Sequence, residues 1–348
     1  MKKTALHGGE ICCLAASLTV FRIFTNLPLV FTRISGTGAP LSALLSGLIV
    51  LVLLFFVLTR CKGQSIISST KNTFAGYTVS VLALIYLASS ALYTLTEFSQ
   101  FAKATAFPTT PLWFVLLFFV VAAGVGAIKG IAPLLRLCRY FIPVFAAVVF
   151  LIILSVLWKC NPSNLFPLLG NGAVDTLGKG LSGILLYSDL FLLFLIDQPS
   201  ANKNKVRRHA LWGCFLGILV CFFTVLALTA KVPYPLSKDQ QFPFYLLMKE
   251  VYYGRFLQRV DAVVLLISVL WGMLSLCLNL CLITKILEDT FEITSKSAVI
   301  FPLCALLFFL SIRGSIGIFP ILVLSAAAFC ALLIFLALFK KEARTDEK

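Results

Sequence analysis

The chain has 348 residues, 60% of them hydrophobic and only 12% charged, with a mean hydropathy of +1.01. Soluble domains carry about 25% charged residues, so a soluble globular fold is excluded. The net charge of +15 does not point to nucleic acid either, because the Lys and Arg residues lie in short loops between apolar runs, with no basic face interleaved with aromatics.

Hydropathy predicts ten membrane helices, at roughly 9–31, 39–59, 75–98, 110–128, 140–158, 179–197, 209–230, 258–286, 298–316 and 318–340. The first follows "MKK" without a convincing small-residue cleavage site and reads as a retained span. Within it, "VFRIFTNLPLVF" places Arg22, Thr25, Asn26, Leu27 and Pro28 at mid-membrane. Proline lacks an N–H and clashes with the preceding turn. It therefore predicts a break near Leu27, with Thr25 or Asn26 capping a new helix; the alternative is a plain proline kink. A break would expose N–H groups at a positive half-helix end, suited to a carboxylate.

Span three carries Glu97 near its outer end, one turn before Gln100 and Lys103. Span six, "GKGLSGILLYSDLFLLFLIDQP", contains Gly183, Tyr187, Ser188 and Asp189, and the expectation is an interruption at mid-run. A carboxylate at the bilayer centre is costly and faces a cavity or a partner. Asp189 is therefore either a ligand site or half of a structural ion pair. Arg22 is equally costly, and the two would pair if spans one and six lie side by side.

The segment 231–257 is too polar to span and too apolar to be a free loop; its aromatic residues predict a short helix at the outer interface. "YYGRFLQRVDAVVLLISVLWGM" then sets Arg255, Arg259 and Asp261 at the mouth of span eight, above Trp271. Residues two apart on a helix diverge, so Arg259 and Asp261 do not pair, while Arg255 and Arg259 form one basic stripe.

Most of the 11 cysteines lie inside apolar runs as small hydrophobes, no CxxC pair occurs, and the two histidines are distant from any nucleophile. No metal, cofactor or catalytic constellation is expected. With the N-terminus inside, 18 of the 29 Lys and Arg residues fall on the cytoplasmic side, which orients both termini there.

"FPTTP" (107–111), "KGIAPLLRLCRYFIP" (129–143), "NLFPLLGNG" (164–172), the stretch ending "VLWGM" and "LEDTF" (287–291) occur in this order. Together they resemble the B-subunit family of bacterial spore germinant receptors, the spore germination permeases, over about residues 8–340. That family sits within the amino acid–polyamine–organocation transporters. The resemblance implies an all-α polytopic membrane protein, one membrane domain whose ten helices form a 5+5 inverted repeat (9–158 and 179–340), with spans one and six discontinuous. It also implies a nutrient-recognising subunit in the spore inner membrane, working beside an A-type subunit and a lipoprotein C-type subunit. The family's motif in span eight corresponds to Gln258, Arg259, Asp261 and Trp271, and its Gly-Glu in span six to Ser188 and Asp189. Span one departs from the family: Phe21, Arg22 and Phe24 stand where small residues are usual, and these would fill or reshape the pocket.

Two functions fit. As a sensor, the chain would hold an amino acid between Thr25–Pro28 and Tyr187–Asp189 and pass a conformational bias to its partners. As a transporter of an amino acid or amine, it would use Asp189 and Glu97 as coupling acids. A channel lacks its ring of pore charges, and an enzyme lacks paired carboxylates, a histidine base and metal spacing.

Overall fold

The computed structural model describes residues 8–24, 27–61, 74–158, 160–196, 203–237, 242–249, 260–291, 296–313 and 318–339. These residues are helical almost throughout, with no strand among them. Span one is two helices, α1 (Gly8–Phe24) and α2 (Leu27–Ser35). Pro28 sits in the first turn of α2, where its missing N–H removes no helical hydrogen bond. Thr25 and Asn26, the expected caps, lie outside the described residues. Every residue from Leu14 to Phe24 is buried, as expected of a helix that is apolar all round and sits at the centre of a bundle.

α2 meets α3 (Ala39–Cys61) at Gly36, whose φ of +62° is open to glycine and strained for other residues. The Ser35 and Ser42 hydroxyls are 2.6 Å apart, although seven residues of straight helix would separate their Cα atoms by about 10 Å. The apolar stretch 27–59 is therefore two helices joined at a sharp turn. There follow α4 (Phe74–Thr105), α5 (Leu112–Ile128) and α6 (Ile131–Trp158). After span six come α7 (Lys203–Lys231), the short α8 (Pro243–Lys249), α9 (Val260–Phe291), α10 (Lys296–Ile312) and α11 (Ile318–Phe339).

Span six differs from expectation. A π turn (Val174–Gly178) leads into a 3₁₀ helix that runs unbroken from Lys179 to Leu195, through Ser188 and Asp189. No mid-run interruption occurs, so main-chain carbonyls are not released there. With the π turn, residues 174–195 form one of the helices long and apolar enough to cross a membrane. Glycines permit the close fit: a Cβ on Gly183 would stand 2.4 Å from Phe31 Cε1, and one on Gly180 would stand 2.8 Å from Ser42 Oγ.

The packing follows a consistent pairing. α1 lies on α7 and on the 3₁₀ span, and the 3₁₀ span lies on α3; α4 packs on α9 and α11, and α5 on α10. In a bilayer, burial of apolar surface does not drive helices together, so close approach and polar contacts must do so. Gly213 and Gly217 of α7 supply the approach, since a Cβ there would lie 2.1 Å from Cys12 O or 2.0 Å from Thr19 Oγ1. Cysteines contribute directed contacts rather than bulk alone. Cys221 donates to Thr19 O (3.5 Å), and Cys277 and Cys281 of α9 donate to Ala123 O and Ala127 O of α5 (3.4 Å each). Ser89 bonds Ser325 at 2.9 Å, and Asn279 donates to Ser90 at 3.3 Å, tying α4 to α11 and α9.

Gly213→Ala and Gly217→Ala will each lower the thermal unfolding midpoint of the purified chain in detergent, an overpacking penalty of about 1–3 kcal/mol. Gly9→Ala, whose added methyl meets nothing within 4 Å, will leave the midpoint unchanged or slightly higher.

Candidate functional site

Arg22 ends α1, and Asp189 lies on the face of the 3₁₀ span that meets it. Arg22 Nη2 donates to Asp189 Oδ1 at 2.9 Å, and Nε lies 2.7 Å from Oδ2, which is a two-pronged ion pair. The residues are 3% and 4% exposed, so no solvent screens the pair. A pair this deep is stable only when its remaining lone pairs find donors. Tyr86 of α4 provides one: its hydroxyl donates to Asp189 Oδ1 in a short hydrogen bond. With that proton engaged, Ser188 Oγ donates to the Tyr86 oxygen at 2.9 Å. The guanidinium also lies 5.7 Å from the centre of the Tyr93 ring, within cation–π range.

The tyrosines are themselves held in place. Tyr86 stacks on Phe329 of α11 at 5.4 Å, and Tyr93 packs on Phe319 at 5.8 Å. Tyr187 faces away from the pair and donates to Ala43 O at 3.2 Å, fixing the 3₁₀ span to α3. At the opposite face of α1, Phe21 stacks on Phe98 (5.4 Å), and Phe24 meets Phe145 (5.3 Å) and Phe244 (5.0 Å).

These rings close the end of the bundle that holds α8. Phe244, Leu247 and Met248 of α8 are buried. Within 231–257, where an interfacial helix is expected, α8 occupies 243–249 with one face buried in the bundle; 238–241 and 250–257 lie outside the described residues. Trp271 is not part of a mouth. It is 2% exposed and packs 4.4 Å from Phe145, because it lies about 16 Å into α9 from Val260. Arg255 and Arg259 lie outside the described residues, as does the Asp261 side chain. Glu97 is half-buried, eleven residues beyond Tyr86 on the same face of α4 and about 16 Å further along.

The structure thus brings together Arg22, Ser188 and Asp189, adds Tyr86 and Tyr93, and leaves Tyr187, Glu97 and Trp271 apart from them. The tyrosines carried one signal in sequence. Tyr86, Ser89, Ser90, Tyr93, Thr94 and Glu97 recur every three or four residues, a polar stripe on an otherwise apolar helix.

The space beside the pair, lined by Arg22, Leu27, Tyr93, Leu186, Phe319 and Leu322, amounts to about 10 Å³. That is about the room of one water molecule. Phe21, Arg22 and Phe24 fill the region where a ligand pocket was expected. No group of three or more His, Cys, Asp or Glu suited to a metal occurs among the described residues.

A family model described as spore germination protein matches residues 18–316. Spore germination protein KB of Bacillus subtilis (strain 168) is 21% identical over 297 residues, covering 82% of this chain and 79% of that protein. Among solved structures, the chain resembles Mhp1, a nucleobase-cation-symport-1 family transporter, in a closed conformation with bromovinylhydantoin bound. The TM-score is 0.66 at 11% identity, covering 95% of this chain and 76% of Mhp1. It also resembles MhsT in complex with L-phenylalanine, with a TM-score of 0.65 at 12% identity, covering 96% and 88%. The fold is that of the 5+5 inverted-repeat transporters, and the chain is a multi-pass membrane protein.

Removing either partner alone leaves a buried unpaired charge, at a cost of about 3–5 kcal/mol, whereas replacing both by apolar residues does not. Arg22→Met and Asp189→Leu will each lower the thermal midpoint more than the double variant does. Tyr86→Phe will cost less, about 1.5–3 kcal/mol, the worth of one hydrogen bond to a charged group.

Proposed function

The chain belongs to the spore germination protein family, and from that premise we propose that it is the membrane subunit of a spore nutrient germinant receptor. On this reading it lies in the spore inner membrane with both termini in the cytoplasm. Its halves, 9–158 and 179–340, are the two five-helix repeats. Its partners are an A-type subunit and a lipoprotein C-type subunit. The stimulus is a small zwitterion, an amino acid, received at mid-membrane.

The observation that carries this reading is the buried Arg22–Asp189 pair between α1 and the 3₁₀ span. Its two halves complement an amino acid: the guanidinium matches an α-carboxylate, and the carboxylate with Tyr86 matches an α-ammonium. An entering zwitterion splits the pair and re-partners both charges at once. A singly charged solute would leave one charge buried and unpaired, a penalty of about 3–5 kcal/mol, and a neutral one would leave both, so the site selects for the zwitterion. MhsT, of the same fold, holds L-phenylalanine, which supports an amino acid in this architecture. The earlier expectation routed the carboxylate to N–H groups around Leu27; the position of Arg22 supports it as the carboxylate's partner instead.

With room for only about one water beside it, the pair must separate before a ligand enters. Binding therefore favours an arrangement in which α1 and the 3₁₀ span stand further apart. The ligand shifts the balance only by its differential affinity for the two arrangements. α1 moves against α7, and the aromatic contacts of Phe24 carry that movement to Phe244 in α8 and, through Phe145, to Trp271. Those elements are where a partner subunit would read it.

The second reading, a secondary amino acid or amine transporter, is favoured by the transporter neighbours and separated by uptake. Proteoliposomes holding this chain alone will show no amino acid accumulation above protein-free liposomes; substrate flux without partners would establish the transporter. In spores, Asp189→Asn and Arg22→Gln will abolish the response to a nutrient amino acid mixture or raise the half-maximal concentration at least tenfold, at unchanged subunit level. The swapped pair, Arg22→Asp with Asp189→Arg, will recover more of the response than either reversal alone. An unaltered dose response in Asp189→Asn spores would remove the pair from the receptor's site.

A further inference from the structure

We infer that the chain carries a specific site for an anionic phospholipid in the groove between α3 and α7. The groove, of about 570 Å³, is lined by Leu51 and Phe55 of α3 and by Arg207, Arg208, Leu211, Trp212 and Phe215 of α7. It opens on the outside of the bundle: Phe55, Trp212 and Phe215 are 48%, 52% and 36% exposed. Among the described residues, this groove is far larger than the space beside Arg22.

Its lining is graded along the membrane normal. Arg207 and Arg208 stand at the end where α7 begins, near the Lys- and Arg-rich segment 202–208. That is the end the charge bias assigns to the cytoplasmic leaflet. From there Leu211 and Phe215 continue the wall one turn at a time on α7, facing Phe55 and Leu51 on α3, about 11 Å into the hydrocarbon. Trp212, one turn beyond Arg208, is of the residue type that favours the interface. The slot contains two cations and no acid. Its polar end thus fits a phosphate, and its apolar length fits the first half of an acyl chain. Basic pockets between helices on the cytoplasmic side are the form in which proteins hold anionic headgroups.

The guanidinium is also positioned. Arg207 Cζ lies 5.7 Å from the centre of the Phe55 ring, so the cation is tied to α3 by a cation–π contact. A phosphate seated on both arginines would bridge α3 to α7 across the slot, and deeper in, Gly47 against Ile218 closes the same seam. α7 presents its other face to α1 through Gly213 and Gly217. The lipid therefore braces, from outside, the helix that clamps the broken span from inside. This site does not depend on the receptor reading.

The test uses the full chain purified in neutral detergent and mixed with equal amounts of dioleoyl-phosphatidylglycerol and dioleoyl-phosphatidylcholine. Native mass spectrometry then counts the lipid retained. One phosphatidylglycerol per chain is expected, preferred about tenfold over phosphatidylcholine. The double variant Arg207→Gln/Arg208→Gln will lose at least fivefold of that preference, and Phe55→Ala will weaken it. The control Arg136→Gln/Arg139→Gln removes the same charge from exposed positions of α6 at the same end and will leave it intact. Equal thermal midpoints in detergent establish that the variants are folded. Equal retention of the two lipids, or equal loss in both double variants, overturns the site. So does full retention of phosphatidylglycerol by the Arg207→Gln/Arg208→Gln variant, since the lipid would then sit elsewhere.

Discussion

Two opposite charges buried at mid-membrane constrain everything around them. Arg22 and Asp189 cannot be separated in an oily interior without a penalty of several kcal/mol per ion, so the elements that carry them must lie side by side. That fixes the end of α1 against the 3₁₀ span. Tyr86 donates to the carboxylate and is itself bonded to Ser188, which brings α4 to the same point. α11 follows through the stacking of Phe329 on Tyr86. Four elements thus converge on a single ion pair.

The rest of the packing makes that convergence possible. Helices in lipid approach closely only where side chains are small, and the glycines are placed accordingly. Gly213 and Gly217 let α7 hold α1, while Gly180 and Gly183 let the 3₁₀ span lie against α3 and α2. On the other side of α1, bulky rings do the opposite work. Phe21 and Phe24 fill the interior against Phe98, Phe145 and Phe244. The result is a closed core in which the buried pair is met by neighbouring side chains. On the proposed receptor reading this is the resting state, whose existing contacts a ligand would have to replace.

How far the sequence discloses this depends on which physical penalty each residue incurs. A charge inside an apolar run has few reasons to be there, so Arg22 and Asp189 stand out and their pairing can be anticipated. Pro28 marks the restart of a helix for an equally strict reason. The winding of span six is different. Nothing in "GILLYSDLFLLFL" distinguishes a 3₁₀ helix from an α-helix, because its apolar residues fit both periods. Tyr86 and Tyr93 are ordinary aromatics by composition, visible only through the polar stripe they share with Ser89, Ser90 and Glu97. Trp271 follows Arg259 and Asp261 in one motif, yet α9 carries it a full two turns and more into the bundle, where its ring packs on Phe145.

The most direct measurement of the central claim is the distance between the two charges in a bilayer. Solid-state NMR on the full chain in liposomes, with ¹³C-labelled aspartate and ¹⁵N-labelled arginine side chains, detects dipolar coupling between a carboxylate carbon and a guanidinium nitrogen. The account predicts a strong Asp–Arg coupling corresponding to about 4 Å, present without any added solute and absent in Asp189→Asn. A spectrum without that coupling, or one in which it survives in Asp189→Asn, contradicts the account.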